Sequence, residues 1–505
     1  MTRINTNVSS LIAQNVLGRN NKSLGVALER LSTGLRINRG KDDPAGLIAS
    51  EALRSEKAGL NAAIGNAERS EQVVNIAEGG LQEVSNLLVE LQGLITTSAN
   101  SAGLSTEEKE ANQLQIDSIL QTIDRVSGAT EFQGTKLLNG NFEYQTNAVA
   151  AGVTDFEVRG AKLDGTDRAV SAIITQSAQQ AGLLLSFGGA LDLSAASAQF
   201  IFEVAGTKGS REFQFASGSI VADITAAINS FKDVTGVEAT TSGTAIKLES
   251  VQFGSNEFVS ATIVDDGSLN TAAATAGVYG IAASDFDLAS AAAVTLFSAA
   301  PAENGVRDDG QDITGTINGL VAVGQGRSLS VNSDFLDVEF SLDTATSQTL
   351  GSVAAFTITG GGADFQLASN VNIAGKVSLG IGDLSARKLG NSVDGFLDDL
   401  ASGKAFNVVD GNNLDTAQSI VSKAINQVSS TRGRLGAFQK NVVGATSRSL
   451  GTALENITAA ESVIRDADFA AETAALTRNQ VLVSASTNVL ALANQSPQNV
   501  LGLLG

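Results

Sequence analysis

No cysteine, histidine or tryptophan occurs anywhere in this chain of 505 residues. The lack of cysteine and histidine excludes a Ser-His-Asp triad, a cysteine nucleophile and a zinc site built on nitrogen or sulfur ligands. It also removes any disulfide, so stability must come from packing or assembly. Basic residues are the minority: 33 Lys and Arg stand against 53 Asp and Glu, a net charge of −20. A nucleic-acid partner, which needs clustered cations, is therefore not expected. No uninterrupted run of 18 apolar residues occurs, so no membrane insertion is expected. The opening "MTRINTNVSSLIAQNVLG" lacks the apolar core of a cleaved secretory signal, so either a cytoplasmic location or an exit route independent of such a signal is expected. What is present is ample apolar material, 43% of the residues, enough for a packed core.

The two ends carry helical periodicity. Leu60, Ile64, Ala67, Val74, Ala77, Leu81, Val84, Leu88, Leu91 and Ile95 keep steps of three, four and seven, a heptad seam sustained over one long helix. Ser105 and Glu108 have the spacing of a capping box that starts a second helix, striped by Ile116, Ile119, Ile123 and Val126. Near the other end Leu414, Ala417, Val421, Ala424, Val428, Thr431, Leu435, Phe438, Val442 and Ala445 repeat the pattern. The spacing predicts that the two stripes meet around one core, with the chain termini close together and the middle of the chain projecting.

Outside these lie two narrower stripes: Ile4, Val8, Leu11, Leu24, Leu28, Leu31 and Leu35 at the start, and Leu476, Val483 and Leu490 at the end, followed by Leu501 and Leu504. Neither can form a core alone, and isolated helices are marginal in water. These residues are expected to be an assembly interface, disordered in the free monomer and ordered on assembly. After Arg478 no charged residue follows, so nothing in the tail repels another copy of it; Pro497 is expected to end or bend its helix.

From 146 to 361 the texture changes to short alternating stretches such as "QFIFEVAG", "REFQFASG", "TAIKLESV", "EFVSATIV" and "LDVEFSL", with one helix at 219–231 capped by Ser219. The fold class expected is therefore multidomain: an all-α coiled-coil and bundle core built from both chain ends, with an inserted β-rich α+β region. The expected division is 1–43 with 464–505, 44–145 with 362–463, and 146–361.

No chemistry stands out. "GTKGS" lacks the spacing of a phosphate loop, and "DDGQD" and "VDDGS" lack the terminal glutamate of a calcium loop. No catalytic, metal or cofactor-binding residue is expected. The densest charged stretch is "RINRGKDDPAG" (36–46), where Asp43 before Pro44 has the pattern of a helix N-cap. Arg36, Arg39, Asp42 and Asp43 are read there either as a solvated turn or as polar contacts between subunits that set register.

Read together, "RINTNVSSLIAQNVL" (3–17), "LERLSTGLRINRGKDDPAGLIASEALRSE" (28–56), "IDRVSGATEFQGTKLLNG" (123–140), "ESVIRDADFAAETAALTRNQVL" (461–482) and "LALANQSPQNVLGLLG" (490–505) closely resemble bacterial flagellin. The segment 200–265 resembles an insertion found in some flagellins and hook-associated proteins. The resemblance implies a structural subunit of the flagellar filament, extracellular, with terminal helices as the inner tube and heptad helices as the outer one. It implies as partners further copies of the chain, an export chaperone, the filament cap and hook-associated proteins. It also places the region sensed by an animal Toll-like receptor at 87–100. There Glu90 and Gly93 stand at the positions of the family's receptor-contacting Arg and Glu, while Leu94 is kept, which predicts weak or absent sensing. Three other readings stay open: a hook–filament junction protein, an enzyme carried in the centre, and an adhesive or glycan-bearing exterior.

Overall fold

The computed structural model describes residues 6–100, 102–163, 165–187, 199–216, 218–266, 276–281, 293–297, 305–410 and 413–501. Helices α1 (Val8–Thr33), α2 (Pro44–Ser98) and α3 (Thr106–Ala129) come first. Sheets follow, with the short helices α4 (Val221–Ser230), α5 (Lys232–Thr235) and α6 (Thr344–Gln348) among them. Helices α7 (Leu414–Ala437), α8 (Gly444–Arg465) and α9 (Phe469–Leu501) close the chain. Helices from both ends with a β-rich middle are the fold class read from the sequence. The residues divide into two compact units, 1–74 with 365–376 and 436–505, and 75–364 with 377–435.

Helix α2 is 55 residues long, and its heptad residues turn inward. All ten are buried except Ile64, which is half-buried. Its start follows from Asp43, whose carboxylate accepts from the Gly46 amide at 2.9 Å, with Pro44 as first helical residue. Gly80, a poor helix former mid-helix, is required by close approach: a Cβ there would lie 2.6 Å from Thr130 Oγ1 and 2.7 Å from Leu138 Cδ1. Helix α3 begins at the capping box, Ser105 Oγ accepting from Glu108 N and Glu108 Oε2 accepting from Ser105 N.

In the first unit α2 is laced to α8: Lys57 meets Glu461 at 3.2 Å and Arg465 meets Glu51 at 3.2 Å. In the second unit Arg432 of α7 binds Glu78 of α2 at 2.8 Å. The stripe of α7 is buried from Ala417 to Leu435 and on to Phe438. Beyond that the sequence reading slips by one residue. Val443 is buried rather than Val442, which is half-buried, and Ala445 is exposed. The cause is a π-turn at Phe438–Val443, whose wider winding adds a residue to the turn and rotates everything after it. Helix α8 accordingly buries none of its side chains.

In the second unit, among the described residues, one sheet has eight strands. Its order is Tyr144–Asn147, Gly351–Gly361, Arg168–Gln176, Thr314–Ile317, Leu320–Gln325, Ser328–Asn332, Leu336–Leu342 and Val153–Ala161. Alternate residues point into one core around Ile317, Leu329, Val338, Phe340 and Phe356. The first and last strands are joined through a side chain: the Tyr144 hydroxyl accepts from Ala161 N at 2.8 Å and donates to Ala161 O at 3.1 Å. On the outer face Glu157 and Glu339 stand opposite each other across the last strand pair. Arg159 bridges them, and Arg434 of α7 takes the other oxygen of Glu157 at 2.8 Å. Burial holds the Arg434 guanidinium below its usual range.

A second β layer carries the Phe-rich core. Strands Gln199–Gly206 and Gly209–Ala216 form the expected hairpin, and the rings of Phe200 and Phe202 pack with centroids 5.0 Å apart, tilted by 36°. Helix α4 begins later than the sequence suggested. Ile220, not Ser219, is the N-cap, because Asp223 reaches back to accept from Ile220 N at 3.1 Å while Ser219 N is spent in a turn to Ala216 O.

Pro497 does not end α9, which runs on to Leu501. A proline withholds one amide bond, and the bonds around it continue the helix. No helix among the described residues is long and apolar enough to cross a membrane.

Candidate assembly interface

Helices α1 and α9 lie in the first unit and pack against each other along most of their length. On α1 the inward line is Ser10, Ala13, Leu17, Asn20, Leu24, Ala27 and Leu31, in steps of three and four, all buried or half-buried. On α9 it is Glu472, Leu476, Asn479, Val483, Ser486, Leu490 and Ala493. The two lines run antiparallel, as their bonds show. Asn7 Nδ2 donates to Ala493 O at 2.8 Å, Ser10 Oγ to Asn494 Oδ1 at 2.7 Å, and Asn20 Nδ2 to Ser486 Oγ at 2.7 Å. Arg30 pairs with Glu472 at 3.0 Å.

The connections beyond the helices continue this register. Gly34 ends α1 in the left-handed region at φ 74°, its amide donating to Arg30 O, a geometry that costs glycine least. Ala467 N then donates to Gly34 O at 2.9 Å, and Arg36 N to Arg465 O at 2.7 Å. The Arg36 side chain donates to Ile464 O at 2.6 Å. Asp42 accepts from the amides of Asn38 and Arg39, and Arg39 pairs with Glu29 at 2.9 Å. Within one chain, then, Arg36, Arg39, Asp42 and Asp43 hold the turn between α1 and α2 in shape.

The seam, in which Ala, Ser and Asn alternate with Leu and Val, leaves other apolar side chains outside. Val8, Leu11 and Ile12 are each 59% exposed, Val489 is 57% and Leu492 69% exposed. Leu28, Val481 and Leu482 are exposed as well. Exposed apolar side chains in this number on one helix pair make it a candidate interaction site.

Comparison with known proteins agrees with this architecture. The model of the bacterial flagellin N-terminal helical region matches residues 4–143, and that of the C-terminal helical region matches 418–504. The flagellin hook IN motif matches 199–251. A flagellin of Salmonella rubislaw is 31% identical over 524 residues, covering 99% of both chains. The chain belongs to the flagellin family. B-type flagellin of Pseudomonas aeruginosa is also 31% identical, again over 99% of each chain. This flagellin is thus a structural subunit of the bacterial flagellar filament. Solved structures align loosely: FliC from Burkholderia pseudomallei at 15% identity over 74% of this chain and 99% of that one, TM-score 0.24. Flagellar hook-associated protein-3 from Legionella pneumophila gives 11%, 81%, 97% and 0.29.

The residues expected at the interface fall into two groups in this flagellin. Leu24, Leu31, Leu35, Leu476, Val483 and Leu490 are half-buried, most of them in the α1–α9 seam. Val8, Leu11 and Leu28 face outward. Ile4 and Leu504 and the side chain of Leu501 lie outside the described residues. Sequence reading passed over Asn7, Ser10, Asn20, Ser486 and Asn494. The signal was there in Ala13, Asn20 and Ala27, seven residues apart, but a stripe sought among large apolar residues misses one built from small and polar ones. Glu90 and Gly93 are exposed on α2 and Leu94 is half-buried beside them.

Proposed function

We propose that this flagellin polymerises through the apolar faces that α1 and α9 leave outside their mutual seam, with further copies of the chain as the occupants. The observation that carries the reading is the exposure of Val8, Leu11, Val489 and Leu492 on helices whose paired seam is already filled by other residues. The terminal segments 1–43 and 464–505 form the inner core, 44–145 with 362–463 the helical layer around it, and 146–361 the projecting region. Leu501 and Leu504 extend the same surface, and Arg36, Arg39, Asp42 and Asp43 keep the α1–α2 turn in the shape that neighbouring copies meet. Salt-sensitive polar contacts at that turn set register between copies.

No catalytic step is assigned: a chain without histidine or cysteine offers only carboxylate, lysine and hydroxyl chemistry, and its carboxylate–glycine stretches read as turns. Export through the flagellar secretion channel, a chaperone holding the C-terminal helices, and contacts with the cap and hook-associated proteins accompany the filament role. Receptor sensing is weak, because Glu90 and Gly93 reverse and remove the charges the family's contact uses. Reporter cells responding as strongly as to an enteric flagellin would contradict that.

Electron microscopy of the purified chain tests the main reading. Long helical filaments are expected from the full chain and none after removal of 1–40 or 464–505, with the melting temperature of the free monomer almost unchanged. A full chain that forms only short, non-extending assemblies would favour a junction protein, and filaments from a truncated chain would remove the interface from the terminal helices.

A further inference from the structure

We propose that Asn7 is a positioning residue for the helix pair: one side chain both starts α1 and replaces the backbone donor that Pro497 removes from α9. In an α-helix each N–H bonds the carbonyl four residues earlier. Proline has no N–H, so Pro497 leaves the carbonyl of Ala493 without its helical donor. That carbonyl receives Asn7 Nδ2 at 2.8 Å. The other end of the same amide group, Asn7 Oδ1, accepts from Ser10 N at 3.0 Å and caps α1.

The choice of residue is specific. Asn, Asp, Ser and Thr all serve as N-caps, because each supplies an acceptor. Asparagine alone among them adds an NH2 donor on the same rigid group. The Ala493 carbonyl is in turn distinctive on α9, because the carbonyls before it in the helix interior are occupied by helical amides. Asn20–Ser486 and Arg30–Glu472 hold the middle and far end of the pair, and at the end where α1 begins the small residues Ser10 and Ala13 interlock weakly. There a donor that fits one vacated carbonyl fixes the axial position, which the Ser10–Asn494 bond then supports. Pro497 and Asn7, at opposite ends of the chain, thus act as one device that sets how far the first helix reaches along the last.

This inference rests on the reading that the α1–α9 pair is the polymerising core, so its test separates the two. Five full-length chains are compared in seeded filament growth: wild type, Asn7→Asp, Asn7→Ser, Pro497→Ala and the Asn7→Asp, Pro497→Ala double variant. Aspartate keeps the cap and loses the donor; the Pro497→Ala change restores the N–H to the Ala493 carbonyl. Asn7→Asp should raise the critical concentration about tenfold when Pro497 is present, the order expected when a half-buried carbonyl loses its donor. Combined with Pro497→Ala, its effect should fall to about twofold. Asn7→Ser, uncharged and still a cap, should behave like Asn7→Asp. Equal effects with and without Pro497, or none in either case, overturn the proposal; so does an Asn7→Asp chain that fails to grow and is not recovered by Pro497→Ala. Hydrogen exchange of residues 7–20 in the same chains needs no filament and should show the same pattern of protection. If wild type itself does not extend seeds, the assembly reading fails, and the exchange pattern alone decides the role of Asn7.

Discussion

Leu490 and Leu492 are two residues apart on α9 and face opposite ways, so charging each should do different things. Leu492 keeps 69% of its surface outside the chain, whereas Leu490 is half-buried against α1. Fully burying a leucine stabilises by about 1.5–3 kcal/mol. With most of Leu492 still available, a neighbouring copy that covers it gains roughly 1–2 kcal/mol, and an aspartate there both forfeits this and adds a desolvation cost. Taking about 2 kcal/mol as the loss, and about 1.4 kcal/mol per factor of ten, the critical concentration should rise about 30-fold. The free Leu492→Asp chain should have unchanged circular dichroism and melting, because that side chain has few neighbours to lose. Leu490→Asp should also stop growth, but by loosening the α1–α9 pair, which faster hydrogen exchange in both helices would register. Sedimentation of seeded reactions over a concentration series measures the threshold. An unchanged threshold for Leu492→Asp would refute the claim that this face is covered in the filament.

Three more outcomes follow from the second unit. Gln113 is 2% exposed and donates to Leu400 O at 2.9 Å while accepting from Val408 N at 2.8 Å, so Gln113→Leu leaves two buried backbone groups unpaired. At about 1–3 kcal/mol for each such group, denaturant melts should show a loss of about 3 kcal/mol, and a change below about 0.5 kcal/mol would contradict it. Tyr144→Phe should cost about 2 kcal/mol by the same argument, with a loss of protection at Ala161 in hydrogen exchange. The pH dependence has two limbs. Burial above all pushes Asp337 and Asp308 up, against the pull of Arg159 and Arg434 on the first and of the Gly182 amide on the second. Their folded forms hold protons above the ordinary value of 3.8, so stability falls as pH rises from 3.8 through the raised folded values. Asp117 and Asp312 run the other way. Burial opposes it, but bonds from Ser402 and Gln113 to the first, and from Ser255 and the Gly326 amide to the second, bring both down. Their stability is present above 3.8 and lost as pH falls through the lower folded values. These four groups together place a maximum near the ordinary value of 3.8, and Asp312→Asn should flatten the acid limb; an acid limb as steep as wild type would contradict the assignment.

Much of the fold was legible because its signals are periodic and local. The heptad of α2 places Leu81, Val84, Leu88 and Leu91 inward wherever the helix goes, and the Ser105–Glu108 box needs only its own turn. Strands such as 199–206 and 336–342 alternate cleanly and emerged at those bounds. What escaped depends on partners distant in sequence. Nothing in "AFQKNVVGA" announces a π-turn, yet it moves the buried position from Val442 to Val443. Pro497 reads locally as a stop, and only Asn7, at the other end of the chain, shows why the helix goes on. Tyr144 and Arg434 have no sequence signature, since one joins the edges of a sheet and the other crosses from a helix to a strand. At the interface the large apolar residues were found, but which of them face α1 or α9 and which face outward is fixed by the small residues between them.

The pairing of α1 with α9 also has a consequence for timing. Asn7 and Ala493 are separated by 486 residues, so α1 is synthesised long before its mate. Until α9 has been made, α1 lacks this partner within its own molecule. For the same reason the pair is indifferent to what is threaded between them. The β-rich middle can lengthen, shrink or be exchanged, and the two ends still meet on the same bonds.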